Sequence, residues 1–287
     1  MTRPLRPSPL VAVRHTPQRL SDTLPWRRDQ WLAWSALPLA ALMLGLWLLQ
    51  LPLSAQHIAF LSLNRLATRL PAEFWSFCTL LGDTTVLFAL MSPLLLWRPQ
   101  ALMACMAAVP AGALFSVVVK HVSDIPRPGA VLELGQFHLI GPLLTRHSFP
   151  SGHAITAFAA AAAVLATAAP RLKSRRSGAL LLLVLGLATT VGMSRVAVGA
   201  HWPLDVLFGA AGGWLAGLSG ALLTRTYRSA WQSPRHQMVL AACLAAASTW
   251  LVLRPLDYKL GAPALWLAAA SSWACLLALV LRSRPRR

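Results

Sequence analysis

Apolar blocks of close to 20 residues, separated by short polar stretches, limit what this chain can fold into more than any other feature. Two of them read GALLLLVLGLATTVGM (178–193) and VLFGAAGGWLAGLSGALL (206–223). A helix needs ~20 apolar residues to cross the hydrocarbon core of a bilayer. By length alone, 287 residues would suit two soluble domains, but 56% of them are hydrophobic and only 12% charged. The pattern predicts one all-α domain, a polytopic transmembrane helix bundle.

Eight spans are expected, at Trp31–Leu49 and near 73–97, 101–120, 152–169, 178–194, 204–224, 238–253 and 262–281. The first is too long for a signal-peptide core and has no small-residue cleavage pattern after it, so it reads as a retained span. Between it and the second, Gln50–Ala72 mixes Ile58, Leu61, Leu66 and Leu70 with Asn64, Arg65 and Arg69, which predicts a re-entrant or interfacial amphipathic helix. The chain thus divides into a basic cytoplasmic tail (1–30), a membrane core (31–237), and two further spans with a basic tail (238–287). Cys78, Cys105, Cys243 and Cys275 lie in apolar stretches with no CxxC spacing, which argues against a disulfide framework or zinc site and for small buried hydrophobes.

The net charge of +18 would suit a nucleic-acid partner only if the bases formed a water-facing module. They cluster instead at the ends of apolar blocks, where they report orientation. With the N-terminus inside, 18 Lys and Arg fall on the cytoplasmic side and eight outside: Arg65, Arg69, Lys120, Arg127, Arg146, Arg195, Arg254 and Lys259. Both termini are therefore expected in the cytoplasm. Trp26, Trp31, Trp97 and Trp202 fall at expected interfaces, as in an aromatic belt.

Three polar blocks then share the outer side: KHVSDIPRP (120–128), PSGH (150–153) and SRVAVGAHWPLD (194–205). Ser151 is a good N-cap, and a helix N-terminus opening on Gly152 suits an anion. Lys120, Arg127 and Arg195 supply three cations with few carboxylates nearby, a set suited to a phosphate group. Pro203 can open a helix, placing His201 before it and Asp205 in its first turn. Asp205 can then fix one imidazole nitrogen of His201 and leave the other as a nucleophile. His153, from another helix, can protonate a leaving oxygen. Asp83 and His147 are possible second contacts, as is Ser194; His121, Asp124 and Glu133 read as loop polar residues.

Lys120-x6-Arg127-Pro128, Pro150-Ser151-Gly152-His153 and Ser194-Arg195-x5-His201-x3-Asp205 resemble, complete and in order, the motifs of the type 2 phosphatidic acid phosphatase superfamily. The resemblance covers roughly residues 120–205. It implies a metal-independent lipid phosphatase with no cofactor, working through a phosphohistidine on His201 with Asp205 as its partner and His153 as general acid. Lys120, Arg127, Ser151, Gly152 and Arg195 would hold the phosphate. The implied setting is a bacterial plasma (inner) membrane, with the site facing the periplasm or exterior. The implied partners are the bilayer and a phosphorylated membrane lipid: undecaprenyl diphosphate, phosphatidylglycerol phosphate or phosphatidic acid. A phosphotransferase passing the phosphoryl group to lipid A uses the same phosphohistidine. An anion transporter would use the cations without needing the His-Asp pair, and a haloperoxidase would be a soluble chain. Many bacterial relatives have about six spans, so the spans after residue 237 are an addition. The sequence leaves oligomeric state open.

Overall fold

A computed structural model describes residues 53–168, 175–227 and 232–283, together with positions 35, 36, 39, 40 and 43. The basic tail 1–30 and almost all of the expected span Trp31–Leu49 lie outside the described residues. Every regular element among the described residues is a helix: α1 (Leu53–Ala67), α2 (Ala72–Leu80), α3 (Thr84–Met91), α4 (Pro99–Ala107), α5 (Val109–Ser123), α6 (Gly152–Ala168), α7 (Arg175–Ala197), α8 (Pro203–Thr226), α9 (Pro234–Leu253) and α10 (Ala262–Ser283), with single turns at Leu94–Trp97, Pro128–Val131 and Lys259–Gly261. Among the described residues, five runs are long and apolar enough to cross a membrane: Pro99–Val131, Gly178–Ala197, Pro203–Thr226, Pro234–Leu253 and Lys259–Ser283. A bent pair, α2 and α3, makes a sixth if counted as one span. The chain is a multi-pass membrane protein.

The centre of the bundle is α6. Ala154, Ala157, the run Ala159–Ala163 and Ala166 are all buried, so neighbours cover the helix on most sides. Its 17 residues give a length of roughly 26 Å, short of the ~30 Å hydrocarbon core. Its main partner is α8, which meets it through glycines one turn apart. A Cβ on Gly209 would sit 2.6 Å from Ser151 O, one on Gly213 2.3 Å from Ile155 O, and one on Gly217 2.2 Å from Ala159 O. Lipid tails are as apolar as leucine, so close backbone approach through small residues, not exclusion from water, holds such helices together. This seam sets the N-terminus of α6 against that of α8.

The expected span near 73–97 is broken. α2 and α3 meet at 80°, at Leu81-Gly82-Asp83. Asp83 Oδ1 accepts from the backbone N–H groups of Thr85 (2.8 Å) and Val86 (3.2 Å), restarting the helix. Gly82 lies where a Cβ would come within 2.7 Å of His153 Cδ2. The bend therefore brings backbone directly onto a candidate catalytic ring.

In α1, Ile58 and Leu66 are exposed while Phe60 and Asn64 are buried. Asn64 is not on a water-facing stripe. Its Nδ2 donates to the carbonyls of His138 (3.0 Å), Val196 (3.0 Å) and Ala197 (3.1 Å), and its Oδ1 accepts from His138 N–H at 2.7 Å. One amide thus pins α1 to the outer loop and to the end of α7. Cys78, Cys105 and Cys275 are buried as expected; Cys243, on α9, is exposed.

Candidate active site

The turn from α7 to α8 places the first groups. Gly199, at φ +80°, lets the chain reverse, and a Cβ there would also strike the ring of Phe137 at 2.7 Å. The N–H groups of Ala200 and His201 then both donate to Arg195 O, at 3.0 and 3.1 Å. Arg195 and His201 are in this way held to each other by backbone. Asp205 lies in the first turn of α8, where its Oδ2 accepts from Trp202 N–H (2.8 Å), Ser148 Oγ (2.5 Å) and His201 Nδ1 (3.2 Å). His201 and Asp205 are both almost fully buried.

Across His201, the guanidinium Nη1 of Arg127 lies 3.2 Å from Nε2. A guanidinium can only donate, so Nε2 accepts and the ring proton sits on Nδ1. The carboxylate of Asp205 demands the same tautomer from the other side. Burial pushes the imidazole of His201 well below its ordinary value, and the charges of Arg127, Arg195, His153 and Lys120 push the same way. His201 is thus a neutral imidazole whose one lone pair points at a cation. Arg127 is held in turn by carbonyls: Nε donates to Arg146 O (2.7 Å), Nη1 to Ala200 O (3.0 Å) and Nη2 to His147 O (3.4 Å).

The remaining cations converge on the same point. Lys120, in the last turn of α5, lies within electrostatic reach of Arg127, Asp205 and Arg195. Arg195 is buried; its Nη1 donates to Thr79 Oγ1 and to Tyr258 Oη (3.2 Å), and its Nε has no partner among the described residues. Ser151 N–H donates to the backbone oxygen of Asp205 at 3.0 Å, tying the start of α6 to the start of α8, while Ser151 Oγ accepts a long 3.5 Å bond from Ala154 N–H. Gly152 opens α6, with open space where a Cβ would stand. His153 follows it and feels the charges of Arg195, Arg127 and Lys120.

Three other candidates have different company. The imidazole of His147 is exposed and pairs with Asp124 at 3.5 Å. Ser194 Oγ donates to Val191 O, within its own helix, at 2.6 Å. Asp83 caps α3 and has Arg254 at 4.0 Å. Trp202, expected at a membrane interface, is instead completely buried next to His201 in sequence; its Nε1 donates to Pro126 O at 2.8 Å and its ring stacks on His57. Ser148, Thr79 and Tyr258 were not anticipated: a lone hydroxyl in a loop or an apolar helix carries no spacing signature. Among the described residues no group of three or more His, Cys, Asp or Glu is arranged to hold a metal ion.

Beside His153 opens a cavity of about 280 Å³. It runs between α3, the α4–α5 junction and α6, past Asp83, Phe88, Cys105, Val109, Gly112 and Ala159. Its walls are largely apolar, and the general-acid candidate stands at its polar end.

Residues 100–230 match the family model of the PAP2 superfamily. An undecaprenyl-diphosphatase of Sulfolobus acidocaldarius is 39% identical over 85 residues, which are 29% of this chain and 36% of that protein. YbjG of Escherichia coli is 41% identical over 91 residues, 32% of this chain and 38% of its own length. The matched segment thus spans little more than a third of either relative. Among solved structures, LpxE of Aquifex aeolicus is similar at 27% identity and a TM-score of 0.45, over 58% of this chain and 94% of LpxE. All three motif blocks fall inside the segment, residues 100–230, that matches the PAP2 superfamily model.

Proposed function

We propose that this protein is an integral membrane phosphatase that hydrolyses a lipid phosphate or diphosphate through a phosphohistidine on His201. The observation that carries the reading is the state of His201: buried, neutral, with Nδ1–H held by Asp205 and the Nε2 lone pair facing Arg127. A phosphoryl group entering among Lys120, Arg127 and Arg195 takes the place of Arg127 in front of that lone pair. Nε2 attacks phosphorus, the bond to the leaving oxygen breaks, and His153, protonated once the anionic substrate lies beside it, gives that oxygen its proton and becomes neutral. His201 then carries positive charge, which the Asp205 carboxylate offsets. In the second half, His153 removes a proton from water, the oxygen attacks phosphorus, the P–N bond breaks, and inorganic phosphate leaves. Preorganised cations aimed at the charge that develops on the equatorial oxygens lower the barrier to both steps. The Ser151 hydroxyl and the backbone N–H groups at the N-terminus of α6, from Gly152 on, add donors to the same anion.

A lipid substrate is supported by the cavity. The leaving group departs toward His153, and apolar space within the bundle opens there. The Sulfolobus relative's name supports undecaprenyl diphosphate as first candidate, ahead of phosphatidylglycerol phosphate and phosphatidic acid. The excess of Lys and Arg on one set of loops supports cytoplasmic termini and a site facing the periplasm or exterior. The chain works without a metal cofactor in this reading.

The test is phosphate release by the purified protein in detergent, offered the three lipids in turn, with and without a chelator. Release from at least one lipid, unchanged by chelation and inhibited by vanadate, is the expected outcome. Turnover abolished by chelation and restored by a divalent ion would overturn the metal-free chemistry. No release from any lipid phosphate would overturn the phosphatase.

A further inference from the structure

Among the described residues, Arg195 is the one cation of the site gripped by side chains from outside the family segment. Its Nη1 donates to Thr79 Oγ1 on α2 and to Tyr258 Oη, and its guanidinium lies 5.8 Å from the centroid of the Tyr258 ring. Residues 79 and 258 both lie beyond residues 100–230. Tyr258 belongs to the connection between α9 and α10, the two spans that the sequence reads as an addition.

That connection is seated firmly. Tyr258 is buried with Trp75, Ile140, Ala197 and Val198. Its ring lies flat against Gly141, at φ +83°, where a Cβ would come within 2.5 Å of Cε1. Three residues on, Gly261 meets α2 so closely that a Cβ would stand 2.5 Å from Ser76 O. The phenol is thus fixed by α2, the outer loop and the end of α7 together. A free arginine side chain has about 2 kcal/mol of rotamer entropy to lose on binding. Here Nη1 is already occupied, while Nε is buried and has no partner among the described residues. A buried N–H without an acceptor is costly, and in a pocket of three cations the ligand that satisfies it is an anion.

We propose that Thr79 and Tyr258 are positioning residues for phosphate binding: they hold Nη1 of Arg195 so that its Nε edge is presented to a phosphoryl oxygen. The C-terminal helix pair is on this account a working part of the phosphate pocket and not an appendage. The proposal rests on the phosphatase reading above.

The full-length protein in detergent tests it, with orthovanadate as probe and the lipid phosphate turned over fastest as substrate. Tyr258→Phe keeps the ring and its packing and removes one hydrogen bond to a charged group. It is expected to weaken vanadate inhibition about tenfold and raise KM similarly, with kcat within about twofold and the melting midpoint unchanged. Thr79→Val is expected to do the same and Thr79→Ser to restore wild-type inhibition, so one poorly folding variant does not decide the matter. In an Arg195→Lys background, which has no fork to orient, Tyr258→Phe is expected to add less than about twofold, because residues acting through one another are not additive. Unchanged or tighter vanadate inhibition in both hydroxyl-deleted variants overturns the proposal, as does a full tenfold effect in the Arg195→Lys background. A wild-type protein lacking vanadate-sensitive phosphate release overturns the phosphatase reading and this proposal with it. A vanadate-sensitive wild type with indifferent variants overturns this proposal alone.

Discussion

A nucleophilic imidazole has to keep its lone pair unprotonated in a pocket otherwise built to attract anions. The surroundings of His201 answer that need by excluding charge from the ring: burial first, then Arg127, Arg195, His153 and Lys120, hold it neutral well below the ordinary imidazole range. Attack requires the neutral ring, so the limb of kcat/KM governed by His201 is expected to be lost only as pH falls clearly under ~6.5. Arg127→Gln removes the largest of the charge contributions, so that limb should move up toward 6.5 while kcat/KM drops overall. A pH profile with a nitrophenyl phosphate, whose leaving group needs little help from an acid, checks both; a limb above 6.5, or one moving down in the variant, would contradict the assignment. The two histidines separate in a trapping experiment. His201→Gln should carry no acid-labile phosphoryl label after an alkaline quench. His153→Gln should be labelled by the same good-leaving-group substrate and cleared more slowly than wild type, by roughly the 10²–10⁴-fold that general acid–base groups contribute. The motif residues were legible because their chemistry fixes their spacing: His201 and Asp205 must lie four apart to meet across a helix start. Ser148, which completes the grip on Asp205, was not, since a loop serine reaches that carboxylate only after the 124–128 and 145–148 strands of loop have paired through Arg127 N–H to Thr145 O and Ser148 N–H to Ile125 O. Trp202 misled for a related reason. Its position suggested an interface, but its ring is buried against His57 and Phe60.

At the scale of elements, apolar length identified helices reliably and breaks poorly. The runs near 178–194, 204–224 and 262–281 are single helices because nothing in them interrupts the backbone ladder. Those near 73–97 and 101–120 are not, and each break has a local cause. Asp83 caps a restarted helix, and Pro110 opens α5 without an N–H to give. Asp83 could be read in the sequence as costly within a span; that the helix turns by 80° there and sets Gly82 against the His153 ring depends on the neighbour that arrives, which no local pattern records. The glycines of α8 were similarly visible and unexplained until α6 was beside them. Gly213 has Ile155 O where its Cβ would be, 2.3 Å away, and the obstacle is backbone that cannot rotate aside. Gly213→Ala should therefore force α8 off α6 and destabilise the bundle by about 1–3 kcal/mol, the usual cost of overpacking. Because the same seam sets Asp205 beside Ser151, activity should fall further than stability. Gly186, on α7 with open space around it, is the control: Gly186→Ala should raise the melting midpoint slightly or leave it unchanged. Melting midpoints and kcat of the two variants, measured in the same detergent, decide it. Equal behaviour would mean that the α6–α8 seam has room to spare.

For the whole molecule the open question is which way it faces, and the answer lies in the distribution of charge. With the eight spans expected from the sequence, the Lys and Arg at 1–30, 171–176, 225–235 and 282–287 are assigned to one side, and they outnumber those on the other by 18 to eight once Arg98 is included. Of the eight, Lys120, Arg127 and Arg195 converge on the proposed phosphate pocket and Arg254 reaches toward Asp83, so they are spoken for by local chemistry. What remains for orientation is more lopsided still, and a bias in short loops sets topology with the basic side in the cytoplasm. The loop 124–151, which carries Arg127, Ser148 and Ser151 into the site, should then be exposed to the periplasm or exterior. A cysteine at the exposed Gln136, in a Cys243→Ala background that removes the one exposed native thiol, is positioned to report this; Cys78, Cys105 and Cys275 are buried. An impermeant maleimide added to intact spheroplasts is expected to label Gln136→Cys fully and a second variant, Ser233→Cys, only after lysis. Ser233 precedes α9 on the opposite, basic side, so the pair controls for leakage and for reactivity at once. Labelling of Ser233→Cys alone in intact cells would turn the molecule over, and would move the substrate to the cytoplasmic leaflet without altering one residue of the chemistry.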